Sequence, residues 1–166
     1  MSYLDDFQDF IYTLDGCGWS SCLIVTQQGL YQMRLTHIFD HPLEVLLGHL
    51  LTLMQGDHDC GFIWQDEPNQ YEWKIVRRLN QEDILQISIS GVTCIGYSSN
   101  QAVVDLSFEI SEYYFMTCVL YQIEKIYQLL KMKDDREKQK LDFPYQAFED
   151  YKRVYLGFSR VRHGQK

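Results

Sequence analysis

Residues 56–61, GDHDCG, carry the densest set of side chains that could bind a metal ion. Asp57, His58, Asp59 and Cys60 are all metal-ligand types, but consecutive side chains rarely converge on one ion. The sequence around them has no zinc-site, metalloprotease or calcium-loop spacing. We therefore expect a polar loop between two elements and no bound metal.

Nucleophilic catalysis would need an activated serine or cysteine beside a base. Cys17 follows Gly16 in a predicted loop and could meet a histidine in space, although only the residue types support that pairing. His37 and His41 are four residues apart, but we do not expect one helix to span both. The sequence has no GxSxG nucleophile elbow and no glycine-rich phosphate loop. It therefore predicts no catalytic residue and no cofactor.

The segment WQDEPNQYEW, residues 64–73, combines aromatic and acidic side chains around a predicted turn. Trp73 alternates with neighbouring apolar residues, so its ring is expected in the core. One interpretation of the turn is a solvated connection between two strands. The other is a protein-binding site in which Asp66 and Glu67 attract a partner and an exposed Trp64 anchors it.

The charge distribution favours a basic protein as partner. Residues 1–112 hold four Lys or Arg and 16 Asp or Glu, whereas residues 113–166 carry a net charge of +4. An acidic body disfavours nucleic acid, although the C-terminal tail SRVRHGQK is basic.

Cysteine usage and hydropathy predict a cytoplasmic location. The five cysteines form no CxxC pair, which is typical of reduced thiols: Cys17, Cys22, Cys60, Cys94 and Cys118. The N-terminus, MSYLDDFQDF, does not resemble a signal peptide, and no apolar run approaches the roughly 20 residues that cross a membrane.

Helical spacing of apolar residues predicts four helices, within residues 2–14, 39–57, 111–132 and 143–158. The second is the clearest, with Asp40 as its expected N-cap, Pro42 in its first turn and Gly56 at its end. Its apolar stripe comprises Leu43, Leu46, Leu47, Leu50, Leu51 and Met54.

Period-two patterns predict about six antiparallel strands, in WSSCLIVT, LYQMRLTH, FIWQ, YEWKIVRRL, ILQISIS and AVVDLSFEI. One face of the sheet is expected to lie buried under the helix of residues 43–54, and it carries Tyr71, Trp73, Ile75, Leu85, Ile87, Ile89, Leu106 and Phe108. The fold class is therefore α+β, an antiparallel sheet with helices packed on one face.

The chain is expected to form a single α+β domain over residues 1–166. The charged run KMKDDREKQK, residues 131–140, marks the expected boundary of the body, after which residues 141–166 are predicted to form a C-terminal helical arm and basic tail. The arm carries four aromatic rings at helical spacing, Tyr145, Phe148, Tyr151 and Tyr155. Docking of this helix on a second copy would make the protein a self-associating structural protein.

From Trp19 to Ile110 the sequence resembles a family of small bacterial proteins similar to immunity proteins, which are encoded beside toxins. The landmarks are a tryptophan before a hairpin, the helix DHPLEVLLGHLLTLMQGD, and the segment EPNQYEW before a further hairpin. The resemblance implies a stoichiometric inhibitor without catalytic residues. The first prediction is thus a non-catalytic protein-binding module, and an enzyme with a dispersed site or a self-associating structural protein are the alternatives.

Overall fold

The structure is a computed structural model that describes residues 7–95, 101–132 and 137–164. Seven strands and four helices lie within these ranges. They are β1 (Phe7–Gly16), β2 (Trp19–Thr26), β3 (Gly29–Thr36), α1 (Pro42–Met54), β4 (Asp59–Asp66), β5 (Asn69–Arg78), β6 (Gln81–Ile95), β7 (Ala102–Ser111), α2 (Glu112–Met132), α3 (Glu137–Leu141) and α4 (Tyr145–His163). An antiparallel sheet with helices packed against it confirms the predicted α+β class.

The sheet is organised around the long strand β6. The strand order is β1-β2-β3-β6-β5-β4. β7 lies outside this order and pairs with the edge of β6 opposite to β5 and β3. β6 bends at Gly91, whose φ of 78° favours glycine and whose position leaves only 3.0 Å between an added Cβ and the carbonyl oxygen of Gln70. The bend allows β5 to pair with the first half of β6 and β3 with the second half.

The N-terminal helix predicted for residues 2–14 is wrong, because residues 7–16 form β1. Residues 2–6 lie outside the described part of the chain. Helical spacing would place Phe7, Ile11 and Leu14 on one face, yet Phe10 and Tyr12 are the fully buried side chains. The aromatic and β-branched residues of this segment suit a strand, and pairing with β2 outweighs the helical pattern.

A tight turn brings β1 and β2 together. Gly16 pairs with Trp19, and the two residues between them, Cys17 and Gly18, have φ angles of 57° and 79°. Positive φ at both central positions is the geometry that joins two twisted strands through a two-residue loop.

The predicted leucine helix is confirmed as α1, with one correction at its start. His41 is the N-cap, and its Nδ1 accepts a hydrogen bond from the backbone N–H of Glu44 at 3.4 Å. Asp40 does not cap, because the helix begins with Pro42 and the residue directly before it takes the cap position. α1 buries Leu43, Leu46, Leu47, Leu50 and Leu53.

Two helices share the apolar face of the sheet. The residues predicted to be buried there are all in the core: Tyr71, Trp73, Ile75, Leu85, Ile87, Ile89, Leu106 and Phe108. α1 lies against β4, whereas α2 lies against β1, β6 and β7. α1 therefore covers only part of the face that was expected to lie under it, and α2 covers the rest.

The C-terminal helix α4 packs on α1 and α2. Phe148 and Tyr151 are fully buried, and the Tyr151 hydroxyl donates to the carbonyl oxygen of Met116 at 2.9 Å. Tyr155 is also buried, and its hydroxyl lies 2.8 Å from that of Thr117. The alternative of a self-associating protein needs the rings of this helix to dock on a second copy. Three of the four rings pack instead within the core of their own chain.

Candidate functional site

The segment WQDEPNQYEW forms the β4–β5 hairpin, and both of its tryptophans face the core. Trp64 is only 1% exposed, and its indole N–H donates to the carbonyl oxygen of Pro42 at 2.8 Å. Trp73 is fully buried, as predicted, with its ring centroid 5.0 Å from that of Trp64. The expected exposure of Trp64 is therefore wrong. Trp64 follows Phe62 by two residues, so strand alternation places both rings on the buried face.

The acidic turn itself lies at the surface. Glu67 is exposed and Asp66 is half-buried. The Tyr71 hydroxyl lies 3.3 Å from Asp66 Oδ2 and 3.3 Å from the backbone nitrogen of Arg34. Burial raises the pKa of Tyr71, so this hydroxyl stays protonated and can donate to the carboxylate.

Two apolar side chains lie exposed beside this turn. Phe39 is 55% exposed and Ile63 is 47% exposed, and both line a shallow notch with Gln65 and Asp40. The notch has a volume of about 10 Å³, which suits one water molecule rather than an organic ligand. Phe39 and Ile63 are therefore available as the apolar anchors that the sequence argument assigned to Trp64.

The GDHDCG segment, expected to be a loop, is divided between two elements: residues 56–58 connect α1 to β4, and Asp59, Cys60 and Gly61 are the first residues of β4. Asp57, His58 and Asp59 are exposed, and His58 Nδ1 lies 3.6 Å from Asp59 Oδ2. Within the described ranges no three His, Cys, Asp or Glu side chains converge as a metal site. Burial, reinforced by Asp59 and Asp57, raises the pKa of Cys60 to about 12, so its thiol is a poor nucleophile.

A groove of about 540 Å³ runs between the outer side of α1 and the start of β4. We call it the acidic groove; the residues that line it include Glu44, Gly48, His49, Thr52, Asp59 and Gly61. Val45 borders both this groove and the notch of Phe39 and Ile63. Acidic and apolar side chains thus form one continuous surface along α1 and β4.

The carboxylates of this surface are not neutralised by neighbours. They belong to Asp40, Glu44, Asp57, Asp59, Asp66 and Glu67. In the described part of the chain, none of them forms an ion pair with a lysine or arginine. Uncompensated charge of one sign attracts a partner of the opposite sign.

The opposite, uncovered face of the sheet has a different character. It holds an open cleft of about 530 Å³ lined by residues that include Lys74, Gln86, Ser88 and Glu109. Lys74 pairs with Glu72 at 3.2 Å, and Glu109 accepts from Arg78 and Gln86 at 3.0 and 2.8 Å. Its charges are therefore compensated, unlike those of the acidic groove.

The structure also assembles a chain of polar groups that the sequence did not indicate. The Tyr12 hydroxyl lies 2.6 Å from Ser20 Oγ, which lies 2.8 Å from His37 Nε2. His37 Nδ1 is 3.9 Å from a carboxylate oxygen of Asp142. Burial and the neighbouring His41 lower the pKa of His37, while Asp142 opposes that shift.

This order of serine, histidine and aspartate is that of a nucleophile with its base and orienting acid. Ser20, however, is fully buried and already bonded to Tyr12, so a substrate carbonyl has no approach to its oxygen. The backbone N–H of Gly18 donates to the second oxygen of Asp142 at 3.2 Å. The group therefore ties the segment before α4 to the β1–β2 hairpin, and Cys17 is exposed at the adjoining turn.

The chain was compared with known protein families, curated proteins and solved structures, and no match was found. None of the described helices is long and apolar enough to cross a membrane. The resemblance to immunity proteins thus stays a prediction.

Proposed function

We propose that this chain is a non-catalytic module that binds a basic protein, as an immunity-type inhibitor binds its toxin. The single observation that carries the proposal is the surface along α1 and β4. There, uncompensated carboxylates adjoin the exposed side chains of Phe39 and Ile63.

The two kinds of side chain have separate tasks in association. Charge around the rim accelerates encounter with an oppositely charged partner, but contributes little affinity. Affinity comes from a few desolvated apolar or aromatic anchors near the centre of the contact. Phe39 and Ile63 supply those anchors, and Asp40, Asp66 and Glu67 supply the charge around them.

A protein partner fits this surface better than a small substrate does. The notch is too small for an organic molecule, and the acidic groove lies open to solvent along one side of the chain. The cysteine pattern of the sequence supports a cytoplasmic setting for the interaction.

The test is quantitative affinity capture from the source cell, with the wild-type chain and three variants as bait. Phe39→Ser/Ile63→Ser removes the anchors, and Asp40→Asn/Glu67→Gln removes two charges. Asp9→Asn/Asp15→Asn removes the same charge from β1, at the other end of the strand order.

We expect a basic protein that binds the wild type and the β1 variant equally. The anchor variant should lose about tenfold in affinity or more, and the charge variant should associate more slowly at low salt. If no captured protein distinguishes the wild type from both surface variants, the proposal is wrong.

A further inference from the structure

We infer that the outer edge of β4 accepts an extended basic segment of the partner as an added strand, with basic side chains over the acidic groove. This inference rests on the proposed function and specifies how the same surface recognises its partner. The inference concerns backbone hydrogen bonds between β4 and the partner. The proposed function depends only on apolar side chains and surface charge, so it can hold without them.

The hydrogen-bond pattern of the hairpin identifies the groups that face outward. The backbone N–H of Arg77 donates to the carbonyl of His58 at 3.0 Å, and in an antiparallel ladder every second pair bonds in this way. The inward-bonded residues of β4 are therefore the even-numbered ones. The backbone groups of Asp59, Gly61, Ile63 and Gln65 point away from β5.

Those outward groups have no partner in the part of the chain that the structure describes. β4 ends the strand order, and β5 is the strand that pairs with it. The end of β3 and the loop before α1 also approach β4 near Trp64 and Gln65, but they do not pair with it as strands. Unpaired N–H and C=O groups at two-residue intervals form a template for another strand.

The regularity of β4 separates it from the other edge strands. Proteins commonly protect exposed edges with bulges, which interrupt further pairing. The pairing of β1 with β2 is interrupted twice, and that of β7 with β6 once. The pairing of β4 with β5 runs from Asp59 to Asp66 without interruption. Among the described strands, β4 is thus the edge best suited to extension.

The groove beside this edge selects the side chains of the added strand. Alternate side chains of that strand would lie over α1, where Gly48 leaves open space and Glu44 and Asp57 supply negative charge. Lysine or arginine at these positions matches the groove. The intervening side chains would lie on the outer face beside Ile63 and can be apolar.

The probe is a capped peptide of eight alternating lysine and valine residues, the length of β4. Three further peptides accompany it. One is N-methylated on the backbone at the lysines, one is N-methylated at the valines, and one has glutamate in place of lysine. Binding is measured by titration calorimetry or fluorescence at low salt.

We expect the glutamate peptide not to bind and the two methylated peptides to differ. Only alternate residues of an added strand face β4, so one pattern of methylation should lower affinity about tenfold or more while the other leaves it within about twofold. Absence of binding by the unmethylated peptide, or an equal effect of the two methylation patterns, would overturn the inference. If the two methylated peptides bind equally and their binding weakens with salt, the inference is wrong but the proposed binding of a basic partner still holds.

A second arm changes the protein itself. Ile63→Pro removes one outward N–H, and Ile63→Thr is the control that keeps it. We expect about tenfold weaker binding of the peptide by the proline variant than by the threonine variant. Equal affinities of the two folded variants would contradict the inference. The methylated peptides decide the question if the proline variant does not fold.

Discussion

At the scale of single residues, the two hairpin tryptophans offer a matched comparison. Trp64 donates its indole N–H to the Pro42 carbonyl, whereas the indole N–H of Trp73 has no acceptor among the described residues. Both rings are buried, and both would lose similar volume on replacement by phenylalanine. The difference between the two variants therefore reports the hydrogen bond of Trp64 together with the removal of the unpaired buried donor of Trp73.

We predict that Trp64→Phe destabilises the protein by about 1–3 kcal/mol more than Trp73→Phe, because it leaves the Pro42 carbonyl without its donor. Urea unfolding of both variants gives the two free energies. A larger loss for Trp73→Phe would show that packing of the second ring outweighs this bond.

Trp64 also shows what strand alternation could have established from the sequence. The argument that placed Trp73 in the core applies equally to Phe62 and Trp64, which are two residues apart in β4. The exposed Phe39 and Ile63 could not be selected in the same way. Phe39 lies in the loop before α1, and only the fold brings it beside Ile63.

At the scale of elements, a buried carboxylate joins three of them. Glu112, the first residue of α2, is fully buried. Its Oε2 accepts from Arg77 of β5 at 2.6 Å and from Arg162 of α4 at 2.7 Å. A carboxylate held between two guanidinium groups stabilises the arrangement of all three elements, because both arginines would lose their charge partner without it.

We predict that Glu112→Gln lowers the free energy of unfolding by about 3–5 kcal/mol, because it removes the charge that two arginines share. Glu109→Gln, which breaks a more exposed pair with Arg78, should cost less than about 1 kcal/mol. Chemical denaturation of the two variants gives the comparison. Equal losses would mean that the buried cluster contributes no more than a surface pair.

The contacts of His37 make the junction between β3, α1 and the segment before α4 sensitive to pH. His37 has a pKa below the ordinary 6.5, lowered by burial and by His41 and only partly restored by Asp142 and Asp15. The unfolded chain therefore binds this proton more readily than the folded one. The stability that the folded chain gains from keeping His37 neutral is complete above about pH 6.5. It is lost as the pH falls through the folded pKa of His37.

We predict that His37→Gln reduces the loss of stability between about pH 7 and pH 5, because glutamine can still bond to Ser20 but does not titrate. Urea midpoints across this range provide the measurement. An unchanged pH dependence in the variant would assign the titration to another group.

The elements differ in how well local patterns predicted them. The strands after residue 18 and helices α1, α2 and α4 follow clear period-two or helical patterns, and the structure has them. β1 does not, because its apolar residues fit a helix and only pairing with β2 decides the outcome. The bend of β6 at Gly91 and the divided pairing that follows from it are likewise tertiary features.

At the scale of the whole molecule, charge is segregated. The net charge of −12 over residues 1–112 and of +4 beyond them was visible in the sequence. The sequence could not show which carboxylates lack cationic neighbours, because Glu109 and Glu112 are paired through the fold. The uncompensated ones along α1 and β4 are the part of that charge that adjoins the exposed side chains of Phe39 and Ile63.

The central claim is that a basic partner covers the surface of α1 and β4. The most direct measurement is amide hydrogen exchange along the whole chain, with and without the captured partner at saturation. The claim predicts slower exchange in residues 38–40 and at the outward amides of Gly61 and Ile63, with little change at β1. Saturating binding that protects only the opposite face of the sheet, or only α4, would contradict it.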